Sequence, residues 1–372
     1  MESMDTVGGG HCRLPDSTTE PEEETSVPHS MRIDSNKRKT DQLDEDDDYS
    51  QQGEADVQAA GVVDGSKHRD GSIYRQDTHF CHRLYRLNDT RETHLLPPNR
   101  PDLDKGCCPN WPACRRHNGC AMMQIFSLKL VANHGAITSA GPIHLYGFMA
   151  VRDLLHPLRN YVFNRTRDDP LVLHPDTDDH SSSLLIQMTG PKRGIYLQCR
   201  ALVEFDMRIK MPGHDDDKED LELIDGFATF SELTPFHGVY TQRIHGDGGA
   251  AVDISLALLR HAVQARMQVG VSELPLHGIS LCVLGFVSGL PQGIKLFDGV
   301  VHEPGDLDSF VVAVVINTPL ILHFLVKQAD GSDKVHRRCC AFPAKAHGCN
   351  RFSLPLDFAD IKLKVFWANL PY

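Results

Sequence analysis

The chain has 372 residues, 41% of them hydrophobic and 24% charged, and a formal net charge of -12. That acidity argues against a protein built to coat nucleic acid, because phosphate binding draws on clustered Lys and Arg, and it leaves room only for a local basic patch. The 11 cysteines are odd in number, and Met1-Glu2-Ser3-Met4-Asp5 opens without an apolar leader. Reduced thiols in the cytoplasm or nucleus are therefore expected rather than secretion. The apolar runs are interrupted by charge, Gly or Pro within about a dozen residues, too short for a helix that spans a membrane.

Residues 1–79 read as a disordered acidic tail. Glu20 to Glu24 and Asp44 to Asp48 are acidic runs, and few aromatic or β-branched residues interrupt them. Such a stretch cannot bury enough apolar surface to offset the entropy of ordering. Lys37-Arg38-Lys39 is a minimal basic cluster of the kind found in nuclear import signals, although three basic residues in a polar tail arise readily by chance. Residues 80–121 form an irregular lead-in or arm. Tyr85, Leu87, Leu95 and Leu96 suit a short helix or an arm packed on the domain, and Pro109 and Pro112 mark a linker.

Residues 122–372 are expected to form a single all-β domain, an antiparallel β-sandwich or a partly open barrel. Ile125 to Val131 is an apolar strand. Val203, Phe205, Met207 and Ile209 alternate with Glu204, Asp206, Arg208 and Lys210, the pattern of a strand with one buried and one wet face. Ala251 to Val271 mixes two periods and suits two strand segments joined by a kink or bulge. Ile279, Leu281 and Val283 alternate. Ser309 to Thr318 and Leu320 to Lys327 are continuous apolar strands, and Ile361, Leu363, Val365 and Trp367 alternate with Lys362 and Lys364. Turn signals at Gly190-Pro191, Gly289-Leu290-Pro291 and Asp330-Gly331 separate these runs without helical crossovers.

Several residue groups carry chemistry. Cys107, Cys108, Cys114, His117 and Cys120 are five soft ligands in fourteen residues, the candidate metal site for zinc. Their spacing departs from paired knuckles and favours reduced thiols in a loop. A second group is Cys339-Cys340 with His336, His347 and Cys349, where one cysteine of the adjacent pair is expected to point into the core. Thr189-Gly190-Pro191-Lys192-Arg193-Gly194 puts two cations on a turn, read as a solvated hairpin tip in preference to a phosphate site. Asp168-Asp169 and Asp215-Asp216-Asp217 lie in loops, where aspartates can bind calcium or keep the surface soluble. No G-x-S-x-G elbow and no phosphate-binding glycine loop is present.

One set of segments resembles a known family. It comprises Met123 to Leu130, Leu145 to Asp153, Tyr161 to Pro170, Met188 to Gly194, Gly249 to Ser255 and Phe286 to Leu290. Together they are similar to the plant domain of unknown function expanded in cereal grasses, over roughly residue 122 to the C-terminus. That family has no established activity, and its relatives are grouped with jasmonate-induced ribosome-inactivating proteins. Those enzymes use a Glu and an Arg one helical turn apart. Glu204 and Arg208 come nearest here, but on a strand pattern, so the resemblance does not carry the glycosidase activity to this chain.

The expected function is a non-catalytic interaction module, with a role in plant stress or defence. The alternatives are a ribosome-associated or RNA-acting protein, with Glu204 and Arg208 or His245 and Asp247 as the nearest acid–base pairs, and a calcium- or lipid-binding sandwich. No catalytic residue and no cofactor is expected. A protein partner is expected, with the ribosome as one option.

Overall fold

The apolar alternation translates into strands almost throughout. The computed structural model describes residues 60–95, 117–131, 141–175, 183–197, 199–211, 213, 217–232, 238–246, 249–331 and 334–370. In chain order the first strands are β1 (Ala60–Val62), β2 (Cys120–Val131), β3 (Ile143–Asp153), β4 (Asn160–Arg165), β5 (Leu171–Leu173), β6 (Ser183–Ile186) and β7 (Ile195–Tyr196). Then come β8 (Arg200–Ile209), β9 (Leu221–Ser231), β10 (Tyr240–His245), β11 (Ala251–Val271), β12 (Ile279–Val287) and β13 (Ile294–Val301). The last are β14 (Gly305–Asp306), β15 (Phe310–Val315), β16 (Pro319–Gln328), β17 (His336–Pro343), β18 (Gly348–Pro355) and β19 (Asp360–Ala368). The one α-helix among the described residues is the five-residue α1 (Phe80–Leu84), whose first turn is capped by His79 Nδ1 accepting from the Cys81 amide at 3.2 Å.

The strands form three antiparallel sheets, none of them closed into a barrel. Sheet I runs β1-β9-β8-β3-β4, with β5 also on β3. Sheet II runs β18-β19-β11-β2-β6 and takes β7, β10, β14 and β15 at its sides. Sheet III runs β13-β12-β16-β17. The 21-residue β11 explains why two sandwiches share sheet II. Val252, Ile254 and Leu256 enter one core with Val203, Phe205 and Met207 of sheet I. Val263, Ala265, Met267 and Val269 enter a second core with Leu281, Leu322 and Phe324 of sheet III. A strand buried by different partners along its length needs apolar residues on both faces, which is why its period is mixed. The expected kink is present as register shifts at Ser255/Leu256 and Leu259/Ala262, with His261 in the left-handed region at φ 55°.

The wet face expected on β8 is covered. Residues 60–79, grouped by composition with the tail, carry β1 on the edge of sheet I and a 3-10 turn at Ser72–Tyr74, and the chain continues into α1. Ile73, Cys81, Tyr85 and Leu87 then pack with Leu202 and Phe227 on the side of sheet I opposite its main core. Each such large side chain, fully buried, contributes about 1.5–3 kcal/mol. Composition misses this arm because a handful of apolar residues, spread over about thirty, suffices when the partner surface is already built.

Candidate functional site

Strand register assembles the site. On the outer face of sheet I, Phe148, Asp206 and Asp225 stand in one cross-strand row and Ala150, Glu204 and Phe227 in the next. Arg152 and Leu202 form a third row. Arg159 enters just before β4, and His68 comes down from the arm.

Glu204 is fully buried and gathers three cations. Arg152 Nε donates to its Oε2 at 2.7 Å, and His68 Nε2 lies 2.9 Å from Oε1. Arg159 donates through Nε at 3.2 Å to both oxygens and also through Nη2. His68 Nδ1 lies 2.6 Å from Asp225 Oδ1, and Asp225 also accepts the backbone amides of His68 and Arg69 at 2.9 and 3.1 Å. Arg152 Nη1 donates to the carbonyls of Tyr85, Arg86 and Pro157, while its buried Nη2 has no hydrogen-bond partner among the described residues. The Arg159 guanidinium lies 4.3 Å from the Phe148 ring centroid, a cation–π contact in a desolvated place.

The charges set one another. Burial opposes the imidazolium of His68, but its hydrogen bonds to Asp225 and Glu204 and their charges prevail and raise its pKa above 6.5. Burial likewise disfavours the Glu204 carboxylate, yet His68, Arg152 and Arg159 hold it well below its ordinary range. Asp225 is also lowered: burial again opposes the charge, and the bonds from His68 and Arg69 outweigh it.

Linkage fixes the pH window of arm docking. The contribution of His68 is fully present below its unfolded value of about 6.5 and is lost as pH rises through its higher folded value. Glu204 and Asp225 contribute above their unfolded values near 4.5 and 3.8, and lose that contribution as pH falls through their lower folded values. Amide exchange across residues 66–87, corrected for its intrinsic pH dependence, is therefore expected to show protection that declines as pH rises above about 6.5. A protection factor that stays level from below pH 6.5 into alkali would remove His68 from the docking.

A second buried pair ties the end of the arm to the fold. Arg193, 1% exposed, grips Asp153 with Nη1–Oδ2 at 2.6 Å and Nη2–Oδ1 at 2.9 Å. Its other bonds go to Thr93 Oγ1 of the arm and to the carbonyls of Gly194 and His156. Lys192 pairs with Glu92 at 2.6 Å. The turn expected as a solvated tip is thus a buried arginine anchor, and both of its cations are matched by carboxylates of the chain. The sign missed in the sequence is that Arg152 and Asp153 close a strand that runs apolar just before them, where a buried charge needs a buried partner.

The other expected site residues fare variously. Cys107, Cys108 and Cys114 lie outside the described residues. His117 packs edge-to-face on His347, with ring centroids 5.1 Å apart and planes at 83°. Burial, with the charge of His117, lowers the His347 pKa. Cys120 opens β2 and is buried in the core between sheets II and III. Cys340 packs against that same core while Cys339 stands in register with His323, so the adjacent cysteines divide between the two faces. Arg208 pairs with Asp206 at 2.9 Å, and the partners of Glu204 are Arg152, Arg159 and His68, so the Glu204–Arg208 pairing does not form. His245 is exposed, and Asp247 is outside the described residues. Asp169 is neutralised by Arg165 at 2.8 Å, Asp217 lies 3.9 Å from Arg208, and Asp215 and Asp216 are not described. Ligand atoms of His68, Asp206 and Asp225 lie within 4.8 Å of one another. Both His68 nitrogens and both Asp206 oxygens are already engaged, and a metal ion would have to displace those bonds.

Fold and network together define an all-β protein, two antiparallel sandwiches on a shared sheet with an arm pinned by buried ion pairs. Residues 122–365 match the family model of a domain of unknown function, DUF6598, and the chain belongs to that family. No curated protein matches. Among solved structures it is similar to human GIVD cytosolic phospholipase A2, at 9% identity and TM-score 0.24, over 67% of this chain and 33% of that one. It is similar also to a calcium-bound two-domain piece of Extended-Synaptotagmin 2, at 10% identity and TM-score 0.25, over 67% of this chain and 96% of that one. Likeness this slight carries no functional argument. Among the described residues no helix is long and apolar enough to cross a membrane.

Proposed function

We propose that this protein is a non-catalytic interaction module that docks a protein partner on the outer face of sheet III. The observation that carries the reading is the apolar character of that face. Sheet III covers its core with one side, where Leu281, Val283, Leu322 and Phe324 are buried. A strand with one side in water should alternate, yet β12 and β16 are apolar on both sides. Cys282, Leu284 and Phe286 of β12 lie in register with Leu325, His323 and Ile321 of β16, all half-buried. Val300, 49% exposed, extends the patch at Ser280. Asp298, Lys295, Lys327 and Arg337 frame it. An apolar centre with a charged rim is the anatomy of a protein interface.

The ionisable groups that could serve catalysis support the same reading, since Glu204, Asp225, Asp153 and Arg193 are buried against their own partners. The resemblance to relatives grouped with defence proteins supports a place for the module in plant stress or defence, in the cytoplasm or nucleus.

A second reading, association with RNA or the ribosome, is favoured by one observation. On the outer face of sheet II, Arg351 stands opposite Lys364, with Lys362 beside them, and the Arg266 guanidinium lies 5.0 Å from the Phe366 ring centroid. Like charges directly opposite destabilise a sheet, and a polyanion would relieve them.

One capture experiment tests both. The full chain and its Leu284→Glu and Leu325→Glu variants are used as bait in extract of expressing cells, with and without RNase. Partners retained by the wild type in both arms and lost from both variants, whose melting temperatures stay within a few degrees of wild type, are the expected result. Equal retention by all three chains would refute docking on sheet III. Loss on RNase together with loss in Lys364→Glu would favour RNA instead.

A further inference from the structure

The apolar face of sheet III has an order that only its register shows. Across the sheet from β13 to β17, one row reads Asp298, Cys282, Leu325, Arg337: Cys282 stands opposite both Asp298 and Leu325, and Leu325 stands opposite Arg337. The row begins with an anion, ends with a cation and is apolar between them. The next row on this face, with Leu284 opposite His323, continues the centre.

The two charges at the ends are not spent on each other, since two strands lie between them. Arg337 is exposed and makes no ion pair among the described residues. The side chain of Asp298 is 46% exposed and is held by Lys295 Nζ at 2.8 Å through Oδ2 alone. A carboxylate accepts at both oxygens and a guanidinium donates through five N–H groups, so each end keeps capacity for an opposite charge.

A row with this polarity is its own complement. Consider a second copy turned by half a rotation about an axis that lies in the face, parallel to the strands and midway between β12 and β16. The strand order reverses, so β13 of one copy faces β17 of the other and β12 faces β16. Asp298 then meets Arg337 of the second copy, Arg337 meets its Asp298, and Cys282 lies on its Leu325. Contact of one residue with another, returned by the same pair in reverse, is what a closed two-fold interface requires. An axis running across the strands instead sets β17 on β17 and leaves both Arg337 side chains without an anion. The chosen arrangement also keeps the strands of the two sheets nearly aligned, a common way for one sheet to pack on another.

We propose that the partner docked on sheet III is a second copy of this chain, and that the protein is a two-fold dimer through that face. This inference rests on the docking reading above and names its occupant. Four strands about 4.8 Å apart, with eight residues rising about 3.4 Å each, give a footprint of about 19 Å by 27 Å. The two copies together then bury about 1,000 Å², the lower end for a specific interface, so a reversible dimer with a dissociation constant of about 1–10 μM is expected in place of an obligate one.

Sedimentation velocity of the full chain, from tenfold below to tenfold above that range, should show the mass rising from monomer to dimer. Asp298→Arg and Arg337→Asp each put like charges at both ends of the row and should weaken the dimer at least about tenfold. An equal mixture of the two variants should restore it, because both contacts between them again pair an Arg with an Asp. A folding defect in either variant would not be mended by mixing. Leu284→Glu places a charge at the apolar centre and should abolish association. A chain that stays monomeric over the whole range overturns the proposal, as does a dimer that both charge reversals leave intact or a mixture that fails to associate. The docking reading fails separately. A monomeric chain whose capture of another protein still depends on Leu284 and Leu325 keeps the face and replaces its occupant, whereas a monomer with no such capture loses both.

Discussion

Replacing Glu204 by alanine is expected to destabilise the protein by about 3–5 kcal/mol, the usual result of removing one member of a buried ionic group. Most of that loss comes from what remains. Arg152 is fully buried, with one guanidinium nitrogen already unmatched among the described residues, and Arg159 is 6% exposed. Without the carboxylate, two guanidinium groups and the His68 imidazole face one another in a medium where their repulsion is poorly screened. The arm should respond first, because His68 is the arm's own contact with Glu204. Urea denaturation followed by far-ultraviolet circular dichroism gives the total loss, and limited proteolysis between residues 66 and 87 shows whether the arm detaches before the sandwiches unfold. Adding Arg152→Met to the alanine variant should recover part of the stability, since an apolar side chain of similar length needs no counter-charge. If Glu204→Ala stays within about 1 kcal/mol of the wild type, the network is not what holds the arm down.

The network shows where sequence reading reaches and where it stops. The strands were legible because their burial has a period: Val203 to Ile209 and Ile361 to Trp367 alternate, and a sheet with one covered face demands that. β11 was legible only in part. Its mixed pattern announced a bulge, but not that its two ends serve different cores, because local periodicity does not say which partner covers a face. The polar side of β8 was misleading for the same reason. Glu204 and Asp206 look like solvent residues in sequence, and nothing within β8 reveals that His68, more than 130 positions earlier, sits over them. The charges inside β3 held the missing information. Arg152 and Asp153 end a strand whose preceding residues Met149, Ala150 and Val151 are all fully buried. A cation and an anion at such a place imply partners of opposite sign, Glu204 for the first and Arg193 for the second. The candidate metal ligands Cys107, Cys108, Cys114, His117 and Cys120 are a reading of local spacing, and the first three lie outside the described residues. What local spacing does not show is that the His117 ring packs on that of His347, across some 230 residues of chain.

These observations bear on how the two halves depend on each other. Trp367 is fully buried in the core between sheets II and III, and its Nε1 donates to Asn350 Oδ1 at 2.7 Å. Trp367→Ala removes that bond and leaves a cavity, and the expected cost is about 3–5 kcal/mol. Where that cost appears is the informative part. Trp367 stands opposite Ala265 on β11, and the same strand supplies Val252 and Ile254 to the other core some ten residues away. No loop separates the two stretches, and the bulge at His261 remains within the hydrogen-bonded strand. Unfolding the second core therefore frees one end of a strand that the first core needs. The slowest-exchanging amides of β8, which lie far from Trp367, are expected to lose protection in Trp367→Ala by the same free energy as those of β12. Loss confined to β12, β16 and β19, with β8 unchanged, would mean that the bulge uncouples the sandwiches and that they unfold as separate units. The ladder of β11 with β2 before the bulge at His261, offset once at Ser255/Leu256 but unbroken as a pairing, and its continuous register with β19 after it favour the first outcome, because a two-sandwich protein joined by a shared strand has no interface that can open without breaking that strand's own ladder.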